Sequence, residues 1–249
     1  MTLGSIVIAR RFRGPPNSGN GGYSCGRLAA YIDGTAEVTL HKPPPLETEM
    51  TVVAESDGSV ALYDGEKLIA TARSADVTVQ PREIPAFDEA VAASKKTFPP
   101  SAHKLPMCFV CGPDRRAGDG LRIHCGPLHG DATGWSGGVA APWIPDRYMA
   151  DDHGLAAAEF VWASLDCPTA YAYGSPAGFP SILLGRQAVR IERRPKVGER
   201  CVVTAWGTEQ EGRKYRAEAA LIGADQHAIA FCKATWIEVD LAAQVGAVM

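Results

Sequence analysis

The chain has 249 residues, enough for one large domain or two of ordinary size, and at this length folding should bury roughly 70–75% of the surface. Its residues are 46% hydrophobic and 21% charged with a formal net charge of −3, a globular composition with no general attraction to nucleic acid or anionic membrane. No apolar run reaches the roughly 18–20 residues of a membrane span, and Arg10, Arg11 and Arg13 follow a short apolar stretch instead of preceding it, the wrong order for a signal peptide. A cytoplasmic location without membrane or nucleic-acid partners is therefore expected. The seven cysteines, an odd number in a long chain, are expected to be reduced thiols.

In chain order, Ser5 to Arg13 reads as a strand, and the turn formers from Gly14 to Gly22 break it. Tyr23 to Ile32 reads as a short helix with Asn20 or Ser18 as cap, weakened by Gly26. After Asp33-Gly34 come strand-like runs at Ala36–His41, Met50–Glu55, Val60–Tyr63 and Leu68–Val79, several separated by Pro or Asp-Gly turns. Gln80 to Lys104 reads as a linker with a short helix at Phe87–Lys96, bounded by prolines. Strands are then expected at Leu121–Cys125 and Ala132–Val139. After a helix, four more are expected at Ile182–Arg193, Arg200–Gly207, Tyr215–Ile222 and Ala228–Val239. The second part restates the first, which suggests units at 1–80 and 108–249 joined by a linker at 81–107.

The helix between them, Asp151 to Pro168, carries the strongest signal. Leu155, Ala158, Trp162 and Leu165 recur at the three-and-four spacing of a buried stripe, and Pro168 disfavours its continuation. Glu159 and Asp166, seven apart, are expected on the flank of that stripe. A carboxylate bordering a buried face must be hydrogen-bonded, paired or kept for chemistry, because an isolated one is costly to bury.

The two parts also match in letters. Val38-Thr39-Leu40-His41-Lys42-Pro43-Pro44-Pro45-Leu46 aligns without gaps onto Val189-Arg190-Ile191-Glu192-Arg193-Arg194-Pro195-Lys196-Val197. Met50-Thr51-Val52 continues onto Cys201-Val202-Val203. Ile69-Ala70-Thr71-Ala72-Arg73 matches Ile229-Ala230-Phe231-Cys232-Lys233. Such a chain, a helix with an antiparallel sheet given twice, resembles the double-hotdog acyl-CoA thioesterases. Two motifs carry the likeness further. Cys108-Phe109-Val110-Cys111-Gly112 followed by Gly120-Leu121 is similar to a Cys-x-x-Cys-Gly … Gly-Leu lead-in of phenylacetate-pathway-type thioesterases. Leu165-Asp166-Cys167-Pro168-Thr169-Ala170-Tyr171 resembles the segment that carries their acid.

The resemblance implies an α+β fold, a tandem (double) hotdog in which each half wraps an antiparallel sheet around a long central helix. It implies hydrolysis of an acyl-CoA thioester at a composite site between the two helices, with Asp166 as base or nucleophile. The pattern departs from the family in two places. His153-Gly154-Leu155 stands thirteen residues before Asp166, which makes Glu159 a rival acid, and Asn20-Gly21-Gly22 occupies the place of His-Gly-Gly in the first half. Asn20, Gly21, Gly22, His153 and Gly154 are accordingly the expected substrate-binding residues, with the amides of Gly21 and Gly22 holding the thioester carbonyl. The alternatives are a non-catalytic acyl-thioester binding protein and a hotdog enoyl-CoA hydratase, the latter suggested by the spacing of Asp119 and His124. The expected partner is a small-molecule acyl-CoA. No cofactor is expected, and self-association into a homo-oligomer is open.

Cys108 and Cys111 with His124 and Cys125 have the residue types of a zinc site. Adjacent residues on a strand point to opposite faces, however, so no metal is expected there. Cys167, near a helix carboxyl end, reads as a packed thiol and not as a partner of His153. The basic run Arg186, Arg190, Arg193, Arg194 and Lys196 suits either the phosphates of CoA or a solvated sheet edge.

Overall fold

The computed structural model describes residues 1–131 and 134–241. Among them the strands are β1 Thr2–Val7, β2 Ala36–Leu40, β3 Glu49–Ala54, β4 Val60–Asp64, β5 Lys67–Ser74, β6 Gly126–Asp131, β7 Gly134–Trp143, β8 Ile182–Ile191, β9 Cys201–Glu211, β10 Lys214–Ile222 and β11 Ala228–Glu238. The α-helices are α1 Gly21–Ala29, α2 Phe87–Ser94, α3 Ala158–Ser164 and α4 Asp166–Tyr171. No helix among the described residues is long and apolar enough to cross a membrane.

All the strands join one antiparallel sheet in the order β1-β3-β4-β5-β2-β8-β11-β10-β9-β7-β6. Read from each edge inward, the first half runs β1-β3-β4-β5-β2. The second, behind the additional edge strand β6, runs β7-β9-β10-β11-β8. The halves meet where β2 pairs with β8, with Glu37 opposite Ala188 and Ala36 opposite Val189. Leu40 faces Ala70 on one side of this join, and Ile191 faces Ala230 on the other.

The period-two alternation of the strands divides their buried side chains between two cores. In β9, Cys201, Val203 and Ala205 point into the main core, which also holds the inward faces of α1, α3 and α4. Val202 and Trp206, on the opposite face, point to a smaller core closed by Ala90 and Ala93 of α2. The segment expected as a linker thus covers the outer face of the second half, which explains why Cys201–Trp206 of β9 and Ala219–Ile222 of β10 are buried on both sides.

The helices are shorter than the long central helices expected. Residues 151–157 do not enter the helix because their backbone is engaged elsewhere. The Ala156 amide donates to the Pro195 carbonyl, Asp151 Oδ1 accepts from the amides of His153 and Leu155, and Gly154 has φ +73°. A second interruption falls at Leu165, so α3 and α4 are separate short helices. At this break the Trp162 carbonyl accepts from the side chain of buried Gln187 at 3.0 Å. Pro168 does not end the helix as expected. It lies in the first turn of α4, where a missing amide hydrogen costs nothing.

Other expected elements differ as well. The first strand stops at Val7 instead of Arg13 because the Arg10 amide is taken by the Glu47 carboxylate, which pulls the chain out of the ladder. The segment Leu121–Cys125, expected as a strand, is irregular. Its amides at Leu121 and Ile123 donate to the carbonyls of Phe109 and Val110, and Arg122 takes φ +54°. The strand expected at Ala132–Val139 runs from Gly134 to Trp143, and Ala132 itself lies outside the described residues, as do residues 242–249 of the expected second unit.

Candidate active site

α1 and α3 lie against each other in opposite directions. A Cβ on Gly22 would come within 2.4 Å of the Asp166 Cβ, and one on Gly26 within 2.6 Å of the Glu159 Cα. The two glycines, four apart on one helix face, therefore allow a close helix approach that any side chain would prevent. This places the amino end of α1 beside the junction of α3 and α4.

Asn20 caps α1, its Oδ1 accepting from the Tyr23 amide at 2.9 Å. Its Nδ2 donates to Asp166 Oδ2 at 2.7 Å. Asp166 is only 1% exposed, and its Oδ1 has no hydrogen-bond partner among the described residues. Burial, and secondly the Cys108 sulfur, push the Asp166 carboxyl up to about 7, while the Gly22 amide, Asn20 and Cys167 favour its ionised form. On the other side of the residue, Thr169 Oγ1 donates to the Asp166 carbonyl at 2.6 Å and accepts from Trp236 Nε1 at 2.8 Å.

A cavity of about 270 Å³ has Asp166 in its wall. Asn20, Gly21, Asp166 and Cys167 line it together with the apolar side chains of Leu184, Ile182, Phe179 and Trp236. His41 and Lys42, both exposed, border it as well. The site thus combines an apolar chamber, a buried acid with an unpartnered oxygen and the positive end of a capped helix, features that suit an acyl group bearing a polar carbonyl.

The other residues singled out in the sequence lie elsewhere. Glu159 is half-buried in the first turn of α3 and is not part of the cavity lining. His153 and Gly154 sit in an exposed turn, likewise off the cavity. The basic run is largely paired: Arg186 with Glu37, Arg190 with Glu192, Arg193 with Glu199 and Asp225, and Arg194 with Asp151.

Sequence reasoning missed a sulfur cluster at the base of the cavity. The sulfurs of buried Cys108, Cys111 and Cys167 all lie within 4.8 Å of one another, and those of Cys108 and Cys167 are 3.7 Å apart. His103, whose charged form is disfavoured mainly by burial, contacts Cys111 Sγ through Nε2 at 3.3 Å. Contacts from the Cys111 and Cys167 thiols lead the effects that hold Cys108 well below the usual thiol range, whereas burial pushes Cys111 up. Neither His124 nor Cys125 belongs to this group. The Cys-x-x-Cys spacing was the available signal, but the third sulfur comes from a helix 56 residues later in the chain.

No protein-family model and no curated protein sequence matches the chain. Solved structures do. A putative thioesterase II from Thermobifida fusca aligns with 95% of this chain and 94% of its own at 12% identity and a TM-score of 0.56. A protein of unknown function with a hot dog fold from Alicyclobacillus acidocaldarius aligns over 94% and 91% at 10% identity, also with a TM-score of 0.56. The tesB protein of Mycobacterium avium subsp. paratuberculosis aligns over 88% and 86% at 14% identity with a TM-score of 0.54. At these identities the likeness speaks for architecture. It runs the length of both chains and agrees with the sheet order and the antiparallel helix pair, so the protein is a tandem hotdog of α+β class.

Proposed function

We propose that this protein hydrolyses the thioester bond of an acyl-CoA at a composite site between α1 and the α3–α4 junction. The observation that carries this reading is the position of Asp166: a buried carboxyl with one unpartnered oxygen, on the wall of an apolar cavity and next to the amino end of the opposing helix.

The acyl chain would occupy the apolar chamber with its carbonyl oxygen at the amino end of α1, near the Gly21 amide. Asp166 Oδ1 would take a proton from water as the water oxygen attacks the carbonyl carbon. The resulting oxyanion would be held by the amide and the helix end, a contribution of roughly 3–4 kcal/mol per donor in enzymes of this type. Collapse of the tetrahedral species breaks the carbon–sulfur bond. The proton held by Asp166 passes to the leaving CoA sulfur, so the products are a carboxylic acid and free CoA thiol. Asn20 would orient the carboxyl through Oδ2, leaving Oδ1 for water. Lys42 and His41 at the border of the cavity suit the CoA phosphates better than the paired basic run does.

The test is release of CoA thiol from short, long and aromatic acyl-CoAs by the natural protein and by Asp166→Asn. Loss of roughly 10²–10⁴-fold in the variant is expected for removal of a general base. Equal turnover by both would remove Asp166 from the chemistry. CoA esters retained without thiol release would mean a binding protein, and a hydrated 2-enoyl-CoA with its thioester intact would mean a hydratase.

A further inference from the structure

We propose that Cys108, Cys111 and Cys167 form a three-thiolate site for a zinc-class metal ion at the base of the cavity, clamping the 105–112 loop to α4. Such a site follows from the positions of the three sulfurs and is independent of thioester hydrolysis.

With zinc–sulfur bonds of about 2.3 Å, a tetrahedral site has ligand sulfurs about 3.8 Å apart. The Cys108–Cys167 separation of 3.7 Å has this length, and the third sulfur lies within 4.8 Å of both, so an adjustment of about 1 Å at most would complete the triangle. All three side chains are buried, and none forms a disulfide.

The chain around Cys108 and Cys111 is shaped like a metal-binding knuckle. The amides of Val110 and Cys111 point back at the Cys108 sulfur, and the Gly112 amide closes the turn on the Cys108 carbonyl at 2.9 Å. Gly112 is required there, since a Cβ would come within 2.6 Å of the Cys108 backbone.

The surroundings offer the outer hydrogen bonds that thiolate sites use to spread their negative charge. Asn20 Nδ2 lies 3.9 Å from Cys108 Sγ. His103 Nδ1 accepts from the Leu105 amide at 3.1 Å, which leaves the proton on Nε2 to be donated to Cys111 Sγ. His103 is thereby a hydrogen-bond donor to a ligand, not a ligand. Cys108, Cys111 and Cys167 all line the cavity, so a fourth ligand would have space beside them. Soft sulfur donors in such a set favour zinc over magnesium or calcium.

The experiment is titration of the reduced, chelator-treated full chain with cobalt(II), whose thiolate charge-transfer absorption reports directly on sulfur ligation, followed by competition with zinc. Saturation at about one ion per chain and displacement by zinc are expected. The absorption should disappear in Cys108→Ser, Cys111→Ser and Cys167→Ser and persist in Cys125→Ser and Cys201→Ser, whose buried thiols lie outside the group. Absence of the band in the natural chain, or its equal loss in the two control variants, would overturn the proposal. If the three serine variants fail to fold, X-ray absorption of the zinc-loaded natural protein decides. Three sulfur neighbours at about 2.3 Å support the site, and fewer than three sink it. Neither readout uses turnover, so failure of the hydrolytic reading leaves this test intact.

Discussion

Asn20 Nδ2 donates to Asp166 Oδ2 across 2.7 Å, joining two residues 146 positions apart in the chain. The same Asn20 side chain caps α1 through its other end. One side chain therefore sets both the start of α1 and the orientation of the acid at the start of α4.

Asn20→Ala should accordingly destabilise the fold through two separate losses. The cap contributes about 1 kcal/mol, and the buried carboxyl deprived of its donor adds about 1–3 kcal/mol. Asn20→Ser retains a capping oxygen but is too short to reach Asp166, so it should recover only the first part. Urea unfolding of the three proteins separates the contributions; equal midpoints for the alanine and serine variants would show that the cap is not used.

The close approach of the helices predicts the cost of filling it. In Gly26→Ala the new methyl would stand 2.6 Å from the Glu159 Cα and 2.9 Å from the Trp162 Cβ. Backbone on one side leaves little room to yield, so a loss of about 1–3 kcal/mol is expected despite the better helix propensity of alanine. A thermal midpoint equal to or above that of the natural chain would mean that α1 and α3 separate easily.

The sheet and the helix pair differ in how far the sequence disclosed them. Most strands carry their own evidence, alternation at Ala36–Leu40 or an apolar run at Cys201–Ala205 with prolines or glycines at the ends, so their type and order could be read locally, whereas β6 Gly126–Asp131 was not expected. Helix limits depended on distant partners. Nothing within residues 151–157 announces that the Pro195 carbonyl takes the Ala156 amide, and nothing near Leu165 announces Gln187. At the site, Asp166 and Asn20-Gly21-Gly22 could be singled out by residue type and resemblance. Cys167 read as a packed thiol because its neighbours Cys108 and Cys111 arrive from another part of the chain.

Glu199 gives a pH prediction. Burial opposes its ionisation, but Arg193, which donates at 2.8 and 3.1 Å, and the amides of Lys196 and Ala224 outweigh it, so its carboxyl is held below the usual range. A depressed folded pKa means that the native state binds the proton less readily than the unfolded chain. The stabilisation is present above the unfolded value of about 4.3 and is lost as pH falls through the lower folded one. Urea midpoints of the natural protein and Glu199→Gln should differ at neutral pH and converge toward acid. A constant difference over the whole range would show that Glu199 does not supply this stabilisation.

Thr169 offers a way to disturb Asp166 without changing it. Its hydroxyl donates to the Asp166 carbonyl and accepts the Trp236 indole proton, so it links the first turn of α4 to a side chain of the cavity wall. Thr169→Val keeps the shape and removes both bonds. The buried indole donor left unsatisfied should cost about 1–3 kcal/mol. Thr169→Ser keeps the hydroxyl, so it should restore the bonds and most of the stability, losing only the contacts of one methyl group. If the proposed hydrolysis is correct, valine should also lower turnover more than it alters the apparent affinity for the acyl-CoA, because it loosens the segment that carries the acid while the chamber keeps its volume. Steady-state thiol release measured beside unfolding midpoints distinguishes the cases. A fall in stability with unchanged turnover would confine Thr169 to packing, whereas rescue of both by serine would tie the hydroxyl to the placement of Asp166.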